Sequence, residues 1–315
     1  MNITISNKAK GFTLIEIMIT LVLSLMITYA IAQVLISSNR TSVTSDGASQ
    51  SQETGRFVMS YLAKHIRQAG LDSLTDQSIF TPAFIDCTTF NALNPASVQG
   101  CIEERDTNNE PGIADTELTI NSLGTHGDRL AIAWVPPAPL NAAGDPDPAL
   151  INTEVRDCTG RNGYNENEVI LNVFWVEPDG NNPSPLPNPP DPDNPAMNNL
   201  VCQAFTFNNG VATNPSTVNA IANGVEAMHV IYGEARTPLV NSSDRNVNQY
   251  VNADDVTDWN NVFAARVSIM TRSLISTTNE VFTRNYVLLD SQPYVMTDAV
   301  SRQVFTSTFV INNYN

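Results

Sequence analysis

The chain has 315 residues, enough for a sizeable core in one large domain or two small ones. It carries 16 Lys and Arg against 32 Asp and Glu, a formal net charge of −16, and that balance disfavours a sequence-independent nucleic-acid binder, which needs a dense basic surface. Only 15% of residues are charged, so the surface is hydrated mainly by neutral Asn, Ser and Thr, as suits an extracellular protein.

The first ten residues are polar and include Lys8 and Lys10. The junction that follows reads Lys10-Gly11-Phe12-Thr13-Leu14-Ile15-Glu16. From Ile17 to Asn39 there is no charged residue, no Pro and no Gly. As a helix this stretch is long enough to cross a hydrocarbon core of about 30 Å. The Lys pair ahead of it places the N-terminus on the cytoplasmic side. Glu16 is the odd residue, because a carboxylate in an apolar helix costs a few kcal/mol, of order 3, unless it finds a partner or reaches the interface. Cutting after Gly11 creates a cationic α-amine at Phe12, one helical turn from Glu16. The amine of the same chain, that of a neighbouring subunit, or a basic residue of another membrane protein are the candidate partners. Two simpler readings compete. One is a plain single-pass anchor, which leaves Glu16 unexplained. The other is an ordinary secretory signal cut after Ala30-Ile31-Ala32, with the mature chain starting at Gln33.

Gly11-Phe12-Thr13-Leu14-Ile15-Glu16 followed by an apolar helix resembles the class III signal of type IV pilins and related pseudopilins. The resemblance implies cleavage by a prepilin peptidase between Gly11 and Phe12, N-methylation of Phe12, and a role for Glu16 in assembly.

After Arg40 comes a polar stretch in which Gly47 is expected to kink or fray a helix. Helical patterning then resumes, with Val58, Leu62, Ile66 and Ala69 on one face and Gly70 as a stop. Behind a leader (1–11), Phe12 to Gly70 is thus expected to form one long helix, with a membrane or filament-core segment (12–40) and an amphipathic continuation (41–70). Beyond it, 71–315 reads as a β-rich globular domain. Candidate strands are Leu130–Val135, Val169–Val176, Leu200–Phe207, Ala227–Tyr232, Phe263–Met270, Val281–Leu289 and Val304–Ile311. Val169–Val176 is nearly all apolar and reads as a central strand covered on both faces. The fold class is α+β, a long apolar N-terminal helix packed on a mainly antiparallel sheet.

The Pro-, Asn- and Asp-rich stretch 177–195 cannot be an interior strand, because proline lacks the N–H donor. It reads as an exposed loop between two strands. Four cysteines, Cys87, Cys101, Cys158 and Cys202, lack metal-ligand spacing, and an even count in an exported chain points to two disulfides. Three pairings are open. The shorter loops favour Cys87–Cys101 and Cys158–Cys202, the second tethering the base of the proline-rich excursion.

A second resemblance runs along the chain. Ser51-Gln52-Glu53-Thr54-Gly55-Arg56-Phe57 and Ile66-Arg67-Gln68-Ala69-Gly70 look like the post-anchor helix of PilW-type minor pilins. Gly127-Asp128-Arg129-Leu130-Ala131-Ile132, Cys158 with Gly160, Val225-Glu226-Ala227-Met228 and Phe263-Ala264-Ala265-Arg266-Val267-Ser268-Ile269 follow in the family's order. Two features depart from it: the long proline-rich insertion, and Ile311-Asn312-Asn313 where the family closes on Leu-Arg-Asn.

No constellation for catalysis is legible. His65 reads as a helix-surface residue, His126 as part of a turn and His229 as a structural side chain in a strand. No nucleophile elbow, zinc-protease helix or phosphate loop is present. Asp145 with Asp147, and Asp254 and Asp255 with Asp258, offer oxygen ligands without EF-hand spacing, and read as solvated acidic loops. Trp134, Trp175 and Trp259 read as core residues. No enzyme, metal or cofactor is expected.

The resemblance implies a minor pilin that initiates or decorates a type IV pilus, with pilus-linked traits such as attachment following from it. Its partners are other pilins and minor pilins, the prepilin peptidase, the inner-membrane assembly machinery and the membrane, with no direct nucleic-acid contact. Its place is the inner membrane before assembly and the pilus or cell surface afterwards. Alternatives are a pseudopilin of a type II secretion system, or a secreted or anchored binding protein.

Overall fold

A computed structural model describes residues 11–71, 83–85, 127–166, 168–178, 198–208, 211–235, 246–274, 281–291 and 293–311. The proline-rich loop beyond residue 178, His126, Cys87 and Cys101 lie outside them. The chain divides into two compact units, the first ending at Asp46 and the second beginning at Gly47.

Helix α1 spans Leu14–Gln68. No proline lies within it, and it runs through Gly47 without interruption. Gly47 and Ser51 are buried, so packing offsets the roughly 1 kcal/mol that glycine costs a helix, and the helix does not fray there. Gly47, Ser51 and Gly55 form a buried small-residue face at four-residue spacing. The Phe305 ring occupies the place where a side chain on Gly55 would be, and the Ser51 and Thr271 hydroxyls meet at 2.8 Å.

The globular unit holds two large antiparallel sheets rather than one. The first comprises β1 (Leu130–Trp134), β2 (Val169–Pro178), β3 (Asn198–Asn208), β4 (Val211–Thr213) and β5 (Asn219–Asn223). Its order is β1-β2-β3-β4, with β5 also paired to β3. The second comprises β6 (Val225–Glu234), β7 (Gln249–Val251), β8 (Val262–Arg272) and, beyond a hairpin, β11 (Arg302–Val310), in the order β11-β8-β6-β7. The hairpin is β9 (Phe282–Tyr286) with β10 (Tyr294–Asp298). β2 lies between β1 and β3 with both its faces buried over 169–176, as its apolar run predicts.

One core joins the three layers: Val58, Leu62 and Ile66 of α1, Phe174 and Leu200 of the first sheet, and Met228, Val267 and Ile269 of the second. On its other face the second sheet is covered by the hairpin through Ala227, Met270, Leu288 and Tyr294. The β6–β8 register shifts between Val225 and Ala227. Such a bulge re-aims a side chain, and Glu226 meets Arg272 and Arg302 there, with Arg302 also holding Asp298 at the end of β10.

His65 corrects the sequence reading. It is 3% exposed, against the Phe174 ring at 5.3 Å and the Asn172 side chain, because α1 turns this side into the core. Its burial lowers its pKa to about 4, with Lys64 adding to the effect and Asp157 opposing it.

Candidate functional site: the N-terminal signal and its helix

Gly11 and Phe12 precede the helix and are exposed, Phe12 at 82%. The helix begins two residues later for a local reason. Thr13 is the N-cap and Glu16 the third helical residue. The Thr13 hydroxyl accepts from the Glu16 N–H at 3.3 Å. Glu16 Oε2 in turn accepts from the Thr13 N–H and from the Thr13 hydroxyl, each at 3.0 Å. This is a reciprocal capping box, signalled in sequence by Thr-x-x-Glu ahead of an apolar run. The sequence reading weighed Glu16 only as a charge and missed it. The carboxylate thus has partners within its own chain before any neighbour arrives.

Beyond the cap, α1 presents Leu14, Ile15, Leu21, Val22, Leu25, Met26, Val34 and Leu35 outward, all exposed. The helix is long and apolar enough to cross a membrane, and none of its most apolar stretch is buried among the described residues. Its hydroxyls are satisfied internally. Thr20 donates to the Glu16 and Ile17 carbonyls, Ser24 to Leu21 and Thr28 to Ser24, at 2.8–2.9 Å. No side-chain donor of that row needs water, which an apolar environment requires.

Cys158 and Cys202 form a disulfide with Cα atoms 6.3 Å apart. It does not close the base of the proline-rich loop; the β2–β3 ladder does so, out to the Pro178–Asn198 pair. The bridge instead fastens the segment before β2 to β3 within the core, where the Asn172 side chain accepts from the Cys158 N–H and Tyr61 of α1 donates to the Cys158 carbonyl.

His229 lies in β6, as read, with Nδ1 2.7 Å from Asp128 and Nε2 2.9 Å from Asp290. The Asp128 contact is close but not aligned as a hydrogen bond. Burial alone lowers a histidine, yet the two carboxylates prevail and hold His229 at about 10. The acidic loops serve locally: Asp147 and Asp258 cap short helical turns by accepting from Ala149 and Asn260. Among the described residues no three His, Cys, Asp or Glu side chains converge as a metal site would need. Trp134 and Trp175 are buried, and Trp259 packs half-buried on Tyr232 at 4.8 Å.

Comparison with known proteins joins these features. Residues 6–28 match the family model of the prokaryotic N-terminal methylation motif. Among solved structures, a type IV-like pilin from Thermus thermophilus is similar at 17% identity over 60% of this chain and 79% of that one, with a TM-score of 0.33. No curated protein matches significantly. A prepilin methylation motif running straight into an uncovered apolar helix, which ends against antiparallel sheets, defines a type IV pilin-like protein. Residues 174–313 match the family model of type IV pilus-assembly protein W.

Proposed function

We propose that the chain is a minor pilin, a structural subunit that takes part in starting or decorating a type IV pilus. The observation that carries this reading is the exposed Gly11–Phe12 junction, one residue ahead of a capped helix whose apolar side chains stay exposed among the described residues. The membrane holds the precursor through 12–40, the prepilin peptidase removes 1–11, and Phe12 is methylated. The freed Phe12 amine then attracts the Glu16 carboxylate of a neighbouring subunit away from Thr13, and apolar packing holds the bundle. Residues 41–70 continue the helix into the globular domain, which acts by binding rather than catalysis. The subunit passes from the inner membrane to the extracellular filament, with other pilins and the assembly machinery as partners.

N-terminal sequencing of the mature chain tests the reading. The expected start is methylated Phe12; a start at Gln33, or an uncut Met1, overturns it. Deleting the gene is expected to reduce surface filaments and spare protein secretion, and the opposite outcome would make the chain a secretion pseudopilin.

A further inference from the structure

The β9–β10 hairpin is held to the globular unit differently from every other strand. Its two strands pair with each other, and among the described residues they join neither large sheet. A two-stranded hairpin is at best marginally stable by itself in water, so side chains have to hold it down.

The apolar part of that hold is small. Leu288 and Tyr294 of the hairpin meet Ala227 of β6 and Met270 of β8, with Tyr286 and Met296 half-buried beside them. Phe282, Thr283, Arg284 and Asn285 are successive residues of β9, on both its faces, and all are exposed. Val295 and Thr297 of β10 are exposed as well. By contrast, every residue of β6 beneath the hairpin is buried.

Two ion pairs supply the rest of the hold. At the turn, Asp290 meets Nε2 of His229 at 2.9 Å. At the base, Arg302 grips Asp298 at two points, Nη1 to Oδ1 at 2.7 Å and Nη2 to Oδ2 at 2.6 Å. The hairpin carries both carboxylates, and the second sheet carries both cations. The Asp290 side chain is 45% exposed and that of Asp298 28%. Pairs this open to water are individually weak, the two-point arginine contact being the stronger kind.

The turn itself works against closure. Leu289 has a φ of 53°, a left-handed backbone that its side chain resists. Among the described non-glycine residues Asn214 alone shares a positive φ, and asparagine tolerates it. Strain of this sort persists where the surroundings over-determine it. Here the neighbours on either side do so: Leu288 is buried and Asp290 is paired with His229.

We propose that the β9–β10 hairpin is a flap, strained at Leu289 and clasped by Asp290–His229 and Asp298–Arg302, which opens as one unit while both large sheets stay folded. Segments with few buried apolar contacts open at lower free energy than the core they cover. Opening uncovers Ala227 and Met270 and takes one carboxylate from each of His229 and Arg302. The flap goes beyond the minor-pilin reading and stands independently of it.

Native-state hydrogen exchange, read by mass spectrometry on the full-length chain in detergent micelles, tests the flap. Peptides covering 282–298 are expected to exchange at least a hundredfold faster than those covering β6 and β8. Asp290→Asn with Asp298→Asn removes both clasps and leaves the buried cations in place. It is expected to speed exchange of the hairpin at least tenfold and to leave β2 and β3 unchanged. Adding Leu289→Gly, which relaxes the positive φ, is expected to slow the hairpin of that double variant at least threefold. A wild-type hairpin as well protected as β6 and β8, or a double variant whose second sheet accelerates by the same factor as its hairpin, overturns the flap. A hairpin unchanged in the double variant overturns the clasps, and one that Leu289→Gly does not slow overturns the strained turn.

Discussion

Two demands fall on the Glu16 carboxylate: closing the first turn of α1 on Thr13, and, in the proposed bundle, meeting a Phe12 amine. Substitutions separate them. Glu16→Gln keeps an oxygen that can accept from the Thr13 N–H and removes the charge. It is expected to leave the helix start intact and reduce incorporation into sheared filaments at least tenfold, measured by immunoblot. Thr13→Val removes the cap, costs about 1 kcal/mol of local helix stability, and is expected to lower incorporation far less. The reverse order of effects would make Glu16 a capping residue and no more. The two buried histidines set the pH profile from opposite sides. His229 is held at about 10 in the folded chain, above its ordinary value near 6.5, so its contribution is complete below pH 6.5 and is lost as pH rises through about 10. His65 is held at about 4, so its contribution is complete above pH 6.5 and is lost as pH falls through about 4. Melting temperature against pH is expected to decline on both limbs, with His229→Gln flattening the alkaline limb and His65→Gln the acid one. An alkaline limb unchanged in His229→Gln would show that the carboxylates do not hold the proton there.

At the scale of elements, α1 meets the second sheet where Gly55 admits the Phe305 ring. Gly55→Ala pushes a methyl into that ring, and overpacking of this kind costs about 1–3 kcal/mol by denaturant unfolding. Adding Phe305→Leu is expected to recover part of the loss, and strict additivity would mean that the two do not share a contact. The same contact explains what was legible in the sequence. The period of Val58, Leu62, Ile66 and Ala69 declares an apolar face, whereas Ser51 and Gly55 carry no hydrophobic signal, although they meet Thr271 and Phe305 of the second sheet. Strands β1, β2, β3, β6, β8 and β11 each carry enough apolar or β-branched residues to be read alone, and β9 was read with its ends too long. The three-residue β4 and β7 and the five-residue β5 and β10 carry too short a signal to be read alone. Their strand character comes from the ladder partner, which no local window contains.

For the molecule as a whole, the disulfide and the buried charges bind segments distant in sequence. Cys158 and Cys202 are separated by 44 positions, and closing such a loop contributes about 4 kcal/mol in the chain-entropy model. Cys158→Ser with Cys202→Ser is expected to lower the melting temperature by about 8 °C in a unit of this size. Reductant is expected to do the same to the wild type once unfolding exposes the sulfurs, which are buried when folded. An unchanged melting temperature in the double variant would mean that the β2–β3 ladder alone holds this region.

The amino-acid sequence by itself determined the parts whose physics is local: an uncharged apolar run long enough for a membrane, a carboxylate at its head, and strands dense in β-branched residues. Only the tertiary structure decided that the strands divide into two large sheets, that His65 faces inward, and that a bulge gathers Glu226 with two arginines. Those features depend on which distant segments meet. Burial, edge pairing and charge neutralisation are properties of the meeting, and no stretch of chain carries them alone.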